Sequence, residues 1–280
     1  MELVAHGLEF TAPDTVTAGW VTVRFRNEAA ITHFALIEKL PEGVDLERQQ
    51  REVAPTFQAG MDHLAAGEVE LAQAAFGTLP AWFGQVTFMG GPGLTSPGGS
   101  SETTLYLDPG TYLIECYVKT GGTFHSFNRD TTVHGMVHQL TVVDGGDATA
   151  PPTATLRLEL SSEQGITMTG EPAAGPQTIA VHFADQTAYA NFVGHDVHLA
   201  RLPDGADPGA VEAWMDWRQA GGLITPSPAE FLGGVNEMPA ASTAYLRVTL
   251  EPGEYLWIAE VPDPGAKGFV VRFSVPAPAS

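Results

Sequence analysis

The chain's one cysteine, Cys116, ends the run Pro109-Gly110-Thr111-Tyr112-Leu113-Ile114-Glu115-Cys116, which reads as a turn followed by a strand. His125, His134, Gly135 and Met136 follow, then a second strand through Val137, Leu140, Thr141, Val142 and Val143. A thiolate, an imidazole and a thioether presented from one loop are the soft and borderline donors that copper prefers. His33, at the start of an earlier strand, is the distant imidazole that would complete the set. Each residue also has a plainer role. A free cysteine is among the most buried residue types. His33 can serve as an inward, hydrogen-bonded core histidine, Met136 as core packing, and His125 and His134 as surface loop residues.

The elements that must position these groups read as strands. Leu8 to Phe25 alternates apolar and polar residues around Pro13-Asp14 and Ala18-Gly19, giving strand, turn, strand. His33 to Ile37 is the next strand. The same order then recurs. His33 to Gly43 matches His195 to Gly205, sharing the histidine, a basic residue, Leu-Pro, an acid and glycine. Phe88-Met89-Gly90-Gly91 matches Phe231-Leu232-Gly233-Gly234, and Pro109-Gly110-Thr111-Tyr112-Leu113 matches Pro252-Gly253-Glu254-Tyr255-Leu256. Gly135-Met136-Val137 matches Gly268-Phe269-Val270. Ordered blocks of this kind indicate a tandem duplication, with one domain over residues 1–145 and a second over 153–280. The Gly-, Pro- and Ala-rich stretch 145–153 is the linker. In the second copy Cys116 aligns with Ala259 and Met136 with Phe269, so that copy lacks the soft donors.

Each copy carries an insertion after its third strand. Leu46 to Val53 and Met61 to Phe76 have helical spacing in the first. In the second, Asp207-Pro208 reads as an N-cap with proline at the first helical position, ahead of Ala210 to Ala220. Trp214 and Trp217 are expected as core anchors there.

Composition bounds the answer. The 280 residues suit two domains, and 44% hydrophobic with 16% charged residues indicates packed globular structure. The 31 glycines and 21 prolines favour short strands joined by turns. A net charge of −20, without a basic patch, argues against nucleic acid and anionic membrane surfaces as partners. No apolar run is long enough to span a membrane. Gly-x-Ser-x-Gly and P-loop motifs are absent, and a single cysteine removes most zinc and dithiol readings.

The ordered set of strands, histidine, helical insertion, Pro-Gly-x-Tyr-x-x-x-Cys and Gly-Met-x-x-x-Leu-x-Val resembles the cupredoxins. It is most similar to exported bacterial cupredoxin-like proteins with a His-x-x-Leu-x-x-Leu-Pro-x-Gly strand and a Gly-Gly-Pro-Gly…Pro-Gly-Gly-Ser turn, here His33 to Gly43 and Gly90 to Ser100. The resemblance implies an all-β fold of two tandem Greek-key β-sandwich domains with short helical insertions. It implies one copper in the first domain, held by His33, Cys116, Met136 and either His125 or His134. The function implied is electron transfer or copper carriage, with a redox or copper-exchange protein as partner. A metal-free binding or structural module is the alternative. Multicopper oxidases share the repeated fold but use His-x-His pairs, and none is present, so a protein without enzymatic activity is expected. Met1-Glu2-Leu3-Val4 lacks the charged and apolar regions of a leader, so the protein is either cytosolic or shown without its leader. The resemblance favours the periplasm or secretion.

Overall fold

The computed structural model describes residues 1–145, 150–203 and 205–277; residues 146–149 of the 145–153 linker lie outside the described residues. In the first half the strands are β1 (Glu2–His6), β2 (Glu9–Thr11), β3 (Thr15–Thr17), β4 (Gly19–Asn27), β5 (Leu36–Lys39), β6 (Thr87–Phe88), β7 (Ser100–Leu107), β8 (Gly110–Glu115), β9 (Lys119–Thr120), β10 (Thr123–Phe124) and β11 (Val137–Val143). In the second they are β12 (Leu156–Ser161), β13 (Gly165–Thr169), β14 (Gly175–Phe183), β15 (Val197–Leu202), β16 (Glu230–Val235), β17 (Ser242–Leu250), β18 (Gly253–Ile258) and β19 (Val270–Val275). The alternation read in β4 places Val21, Val23 and Phe25 inward and exposes Arg24 and Arg26.

The duplication is visible in the pairing. From its outer edge inward, the first half contributes β2-β1-β4-β7 and the second β13-β12-β14-β17 to one sheet. β1 runs parallel to β4 as β12 does to β14. The opposing sheets are β3-β11-β8-β5-β6 and β16-β15-β18-β19. Tyr112 donates its hydroxyl to the Asp108 carbonyl at 2.7 Å, and Tyr255 donates to the Glu251 carbonyl at 2.8 Å, the same corner built twice.

The two sandwiches are joined more closely than a linker requires. β7 and β17 pair antiparallel through Thr104–Tyr245, Thr103–Leu246 and Glu102–Arg247, making one eight-stranded sheet across both halves. Either strand alone would leave an edge of unpaired backbone groups, and the pairing satisfies both. The hydrophobic core is correspondingly continuous from Phe25 and Ile114 to Trp257 and Phe269.

The insertions are helical as the spacing predicts, with the first divided into α1 (Leu46–Glu52), α2 (Ala54–Ala65) and α3 (Val69–Phe76). Asp45 caps α1, accepting from the Arg48 N–H at 2.9 Å. In the second half α4 (Pro208–Met215) starts at Asp207, which accepts from the Gly209 N–H at 2.9 Å. Trp214 and Trp217 are both buried.

Candidate metal centre

Three donor atoms from separated segments meet inside the first half. His33 Nδ1 lies 3.4 Å from Cys116 Sγ, Cys116 Sγ lies 3.7 Å from His125 Nδ1, and the two Nδ1 atoms are 3.2 Å apart. All three residues are buried. A point equidistant from three atoms at those separations lies about 2.0 Å from each, the range of metal–imidazole bonds and slightly inside metal–thiolate ones.

Each donor is placed by backbone pairing. His33 exchanges backbone hydrogen bonds with Thr95, at 3.2 and 2.7 Å. Cys116 immediately follows β8, and its N–H donates to the Met136 carbonyl at 3.2 Å. Between Cys116 and His125 the chain doubles back as the β9–β10 hairpin, turning on Gly121 and Gly122 at φ 57° and 81°. His125 is thereby returned beside Cys116, its N–H bonded to the Val118 carbonyl at 2.8 Å.

The tautomer of His125 is set by its other nitrogen. His125 Nε2 lies 2.9 Å from Thr120 Oγ1; donating there leaves the Nδ1 lone pair facing the cluster. Thr120 Oγ1 is in turn 3.2 Å from Thr225 Oγ1, so the second half braces the ring. His33 Nε2 is buried without a hydrogen-bond partner. Burial pushes the Cys116 thiol up to about 12 and holds His33 down at about 4. Burial, reinforced by the neighbouring His33, holds His125 at about 3. A thiol and two neutral imidazoles therefore face one point, a soft and borderline donor set that fits copper.

The other residues singled out in the sequence fall in different places. Met136 is fully buried, and its backbone bridges the centre, with N–H to the His125 carbonyl and C=O to Cys116. His134 is not brought in. Its Nε2 pairs with Glu47 at 3.2 Å and its side chain is 43% exposed. Thr120 and Thr225 went unnoticed in the sequence; the Thr-Gly-Gly-Thr turn at 120–123 was the available signal for the hairpin that folds His125 back.

The second half keeps the frame and fills it. Ala259 N–H donates to the Phe269 carbonyl at 3.2 Å, reproducing the Cys116–Met136 bond. Phe269 lies against His195 with ring centroids 4.8 Å apart, and Tyr189 Oη is 3.1 Å from His195 Nε2. Nearby, Asp196, His198 and Glu260 are buried with donor atoms close enough for a metal. Their hydrogen bonds assign them differently. His198 Nδ1 accepts from the Leu94 N–H at 3.0 Å, so the ring's proton is on Nε2, 2.7 Å from Asp196. A neutral imidazole in that tautomer has no lone pair left for an ion.

No family model and no curated protein matches the chain. Among solved structures, auracyanin A, a "blue" copper protein from the green thermophilic photosynthetic bacterium Chloroflexus aurantiacus, is 26% identical. That match covers 51% of this chain and 97% of auracyanin A, with a TM-score of 0.31. A multicopper oxidase is 12% identical over 98% of this chain and 88% of its own, TM-score 0.24. A copper-containing nitrite reductase from Thermus scotoductus is 11% identical over 98% of this chain and 61% of its own, TM-score 0.24. The expectation of a protein without enzymatic activity is corrected by these findings: the solved structures similar across both halves include enzymes. The chain is thus a mostly β protein whose two halves repeat one sandwich frame, and its first half carries a buried His-Cys-His group whose donor atoms lie close enough to hold a metal ion.

Proposed function

We propose that the first half binds a single copper through His33 Nδ1, Cys116 Sγ and His125 Nδ1, with Met136 as the weak fourth donor, and that the protein serves electron transfer. The observation that carries this reading is the buried triangle of one sulfur and two nitrogens at 3.2 to 3.7 Å. Bound there, copper would supply a one-electron couple at a thiolate. The protein's share is geometry and exclusion of water. β8 and β11 hold Cys116 against Met136, the β9–β10 hairpin holds His125, and Thr120 fixes the imidazole's donor atom. Burial of His33, Cys116 and His125 keeps water from the point they face. The thiol proton must leave when copper enters, so uptake is expected to release protons.

Because the second half lacks cysteine and methionine at the matching positions, one copper per chain follows. We place the protein outside the cytosol, with a redox or copper-exchange protein as partner, on the strength of the family resemblance. No helix among the described residues is long and apolar enough to cross a membrane. The test is titration of the full chain with Cu(II), followed by absorption spectroscopy and metal analysis. One equivalent taken up with an intense visible thiolate band is the expected result. A colourless protein that takes up no stoichiometric copper would leave the cupredoxin frame as a metal-free binding module.

A further inference from the structure

The two imidazoles of the His-Cys-His group are held differently. Thr120 meets the outer nitrogen of His125, whereas His33 Nε2 is buried with no partner among the described residues. The aim of His33 therefore depends on its backbone, which pairs with Thr95 on the extended run 90–96. That run is shared between the halves. On one side it bonds His33, Ala35 and Ile37; on the other it bonds Phe231, Gly233 and Gly234 of β16.

The run is irregular just beside His33. His33 exchanges two bonds with Thr95, but the Ala35 N–H reaches the Pro92 carbonyl at 2.9 Å. The step from His33 to Ala35 thus faces the longer step from Thr95 to Pro92, which is a bulge at Gly93-Leu94. Bulges leave a backbone group off the ladder and re-aim the side chains next to them. Here the group left over is the Leu94 N–H, and it donates to His198 Nδ1 at 3.0 Å.

The second half fixes that acceptor. His198 lies on β15 and is fully buried. Its Nε2 donates to Asp196 Oδ2 at 2.7 Å, and Asp196 Oδ1 accepts from the Glu260 N–H at 2.8 Å. With the ring's proton committed to Asp196, Nδ1 can only accept. Glycine is what lets the ring come this close: a Cβ on Gly93 would lie 2.7 Å from His198 Nδ1. A buried N–H that loses its partner is costly, so the His198 bond holds the bulge where it is.

We propose that His198, in the half without cysteine or methionine donors, is a positioning residue for His33. Its bond to the Leu94 N–H fixes the bulge that sets His33 Nδ1 against Cys116 Sγ. The consequence for copper rests on the function proposed above; the positioning is a property of the polypeptide and is measured without metal. In the metal-free full chain, NMR should show a nitrogen–nitrogen coupling across the Leu94–His198 bond. His198→Phe keeps a ring but removes the acceptor, whereas His198→Asn restores one, its Oδ1 being as many bonds from Cα as Nδ1. The Phe variant should speed amide exchange at Leu94 and Thr95 by about tenfold or more. It should also shift the His33 ring signals and leave those of His125 in place. The Asn variant should return both towards the parent. Leu158→Ala, a buried truncation in β12 of the opposite sheet, controls for lost stability: it should lower Tm without moving the His33 ring. In Cu(II) titrations the Phe variant should bind about 10–100-fold more weakly with a shifted visible band, and the Asn variant should recover most of the loss. No coupling across the Leu94–His198 bond in the parent would overturn the proposal. So would unchanged His33 signals in the Phe variant, or equal effects from Phe, Asn and the Leu158 control. A parent chain that takes up no copper would sink the copper reading alone, and the NMR comparison would still decide whether His198 places His33.

Discussion

Cys116 is buried among apolar side chains that raise its thiol to about 12, yet its sulfur faces two imidazole nitrogens. A cysteine present only for packing gains nothing from that arrangement, whereas a metal offsets the cost of ionising it. Cys116→Ser is therefore expected to remove the visible band completely. It should also weaken Cu(II) binding beyond the roughly 10–100-fold that outer-shell changes produce, as read by competition with a chelator. Thr120→Val is the milder case. It leaves the donors in place but strands the His125 Nε2–H, and about a tenfold loss of Cu(II) affinity with the band retained is expected. The residue types at this centre were legible in the sequence, because sulfur and imidazole are scarce and spaced around one loop. The choice between His125 and His134 was not, since it turns on a hairpin of two residues per strand, too short for periodicity to register.

Among the elements, the repeat was the most readable feature, because turn residues at fixed intervals survive when side-chain chemistry does not. Pro-Gly-x-Tyr starts β8 and β18 alike, and each tyrosine closes the same corner. The glycine before Met136 and Phe269 is common to both copies but for different reasons. Gly268 adopts φ 78°, a left-handed conformation, whereas Gly135 is needed for space. A Cβ on Gly135 would fall 2.1 Å from the Ser126 backbone, so the segments carrying His125 and Met136 can approach only across a glycine. Gly135→Ala should cost about 1–3 kcal/mol, a drop of several degrees in Tm by calorimetry. Because the strain falls next to His125, copper binding should weaken as well. An alanine variant with parental Tm and copper affinity would contradict this account. What the sequence did not disclose was the β7–β17 pairing, because an edge strand's pattern does not state which strand will cover it.

At the scale of the whole molecule, the junction between halves holds carboxyls where the net charge of −20 gave no reason to expect burial. Acidic residues usually read as solvated surface, so the sequence offered no signal for Glu38, Glu115, Glu237 and Glu260 as interior groups. Their burial ties stability to pH in a definite direction. Glu237 titrates near its ordinary 4.5 when unfolded and at about 8 when folded, chiefly through desolvation and next through Asp196. Between those values the folded chain holds a proton that the unfolded chain has released, so stability falls as pH rises. The contribution is complete below about 4.5 and gone once pH passes about 8, with a slope of at most about 1.4 kcal/mol per pH unit for one proton. Glu115, raised to about 7 by burial, acts in the same sense over a narrower window. Denaturation of the copper-free chain across pH 5 to 8 should therefore show Tm decreasing, opposite to the trend from carboxylates held by salt bridges. Glu237→Gln carries no titrating proton, and its Tm should decline less steeply over the same range. Equal slopes for parent and variant would mean that Glu237 is ionised in the folded chain and that the junction carries charge the structure does not neutralise.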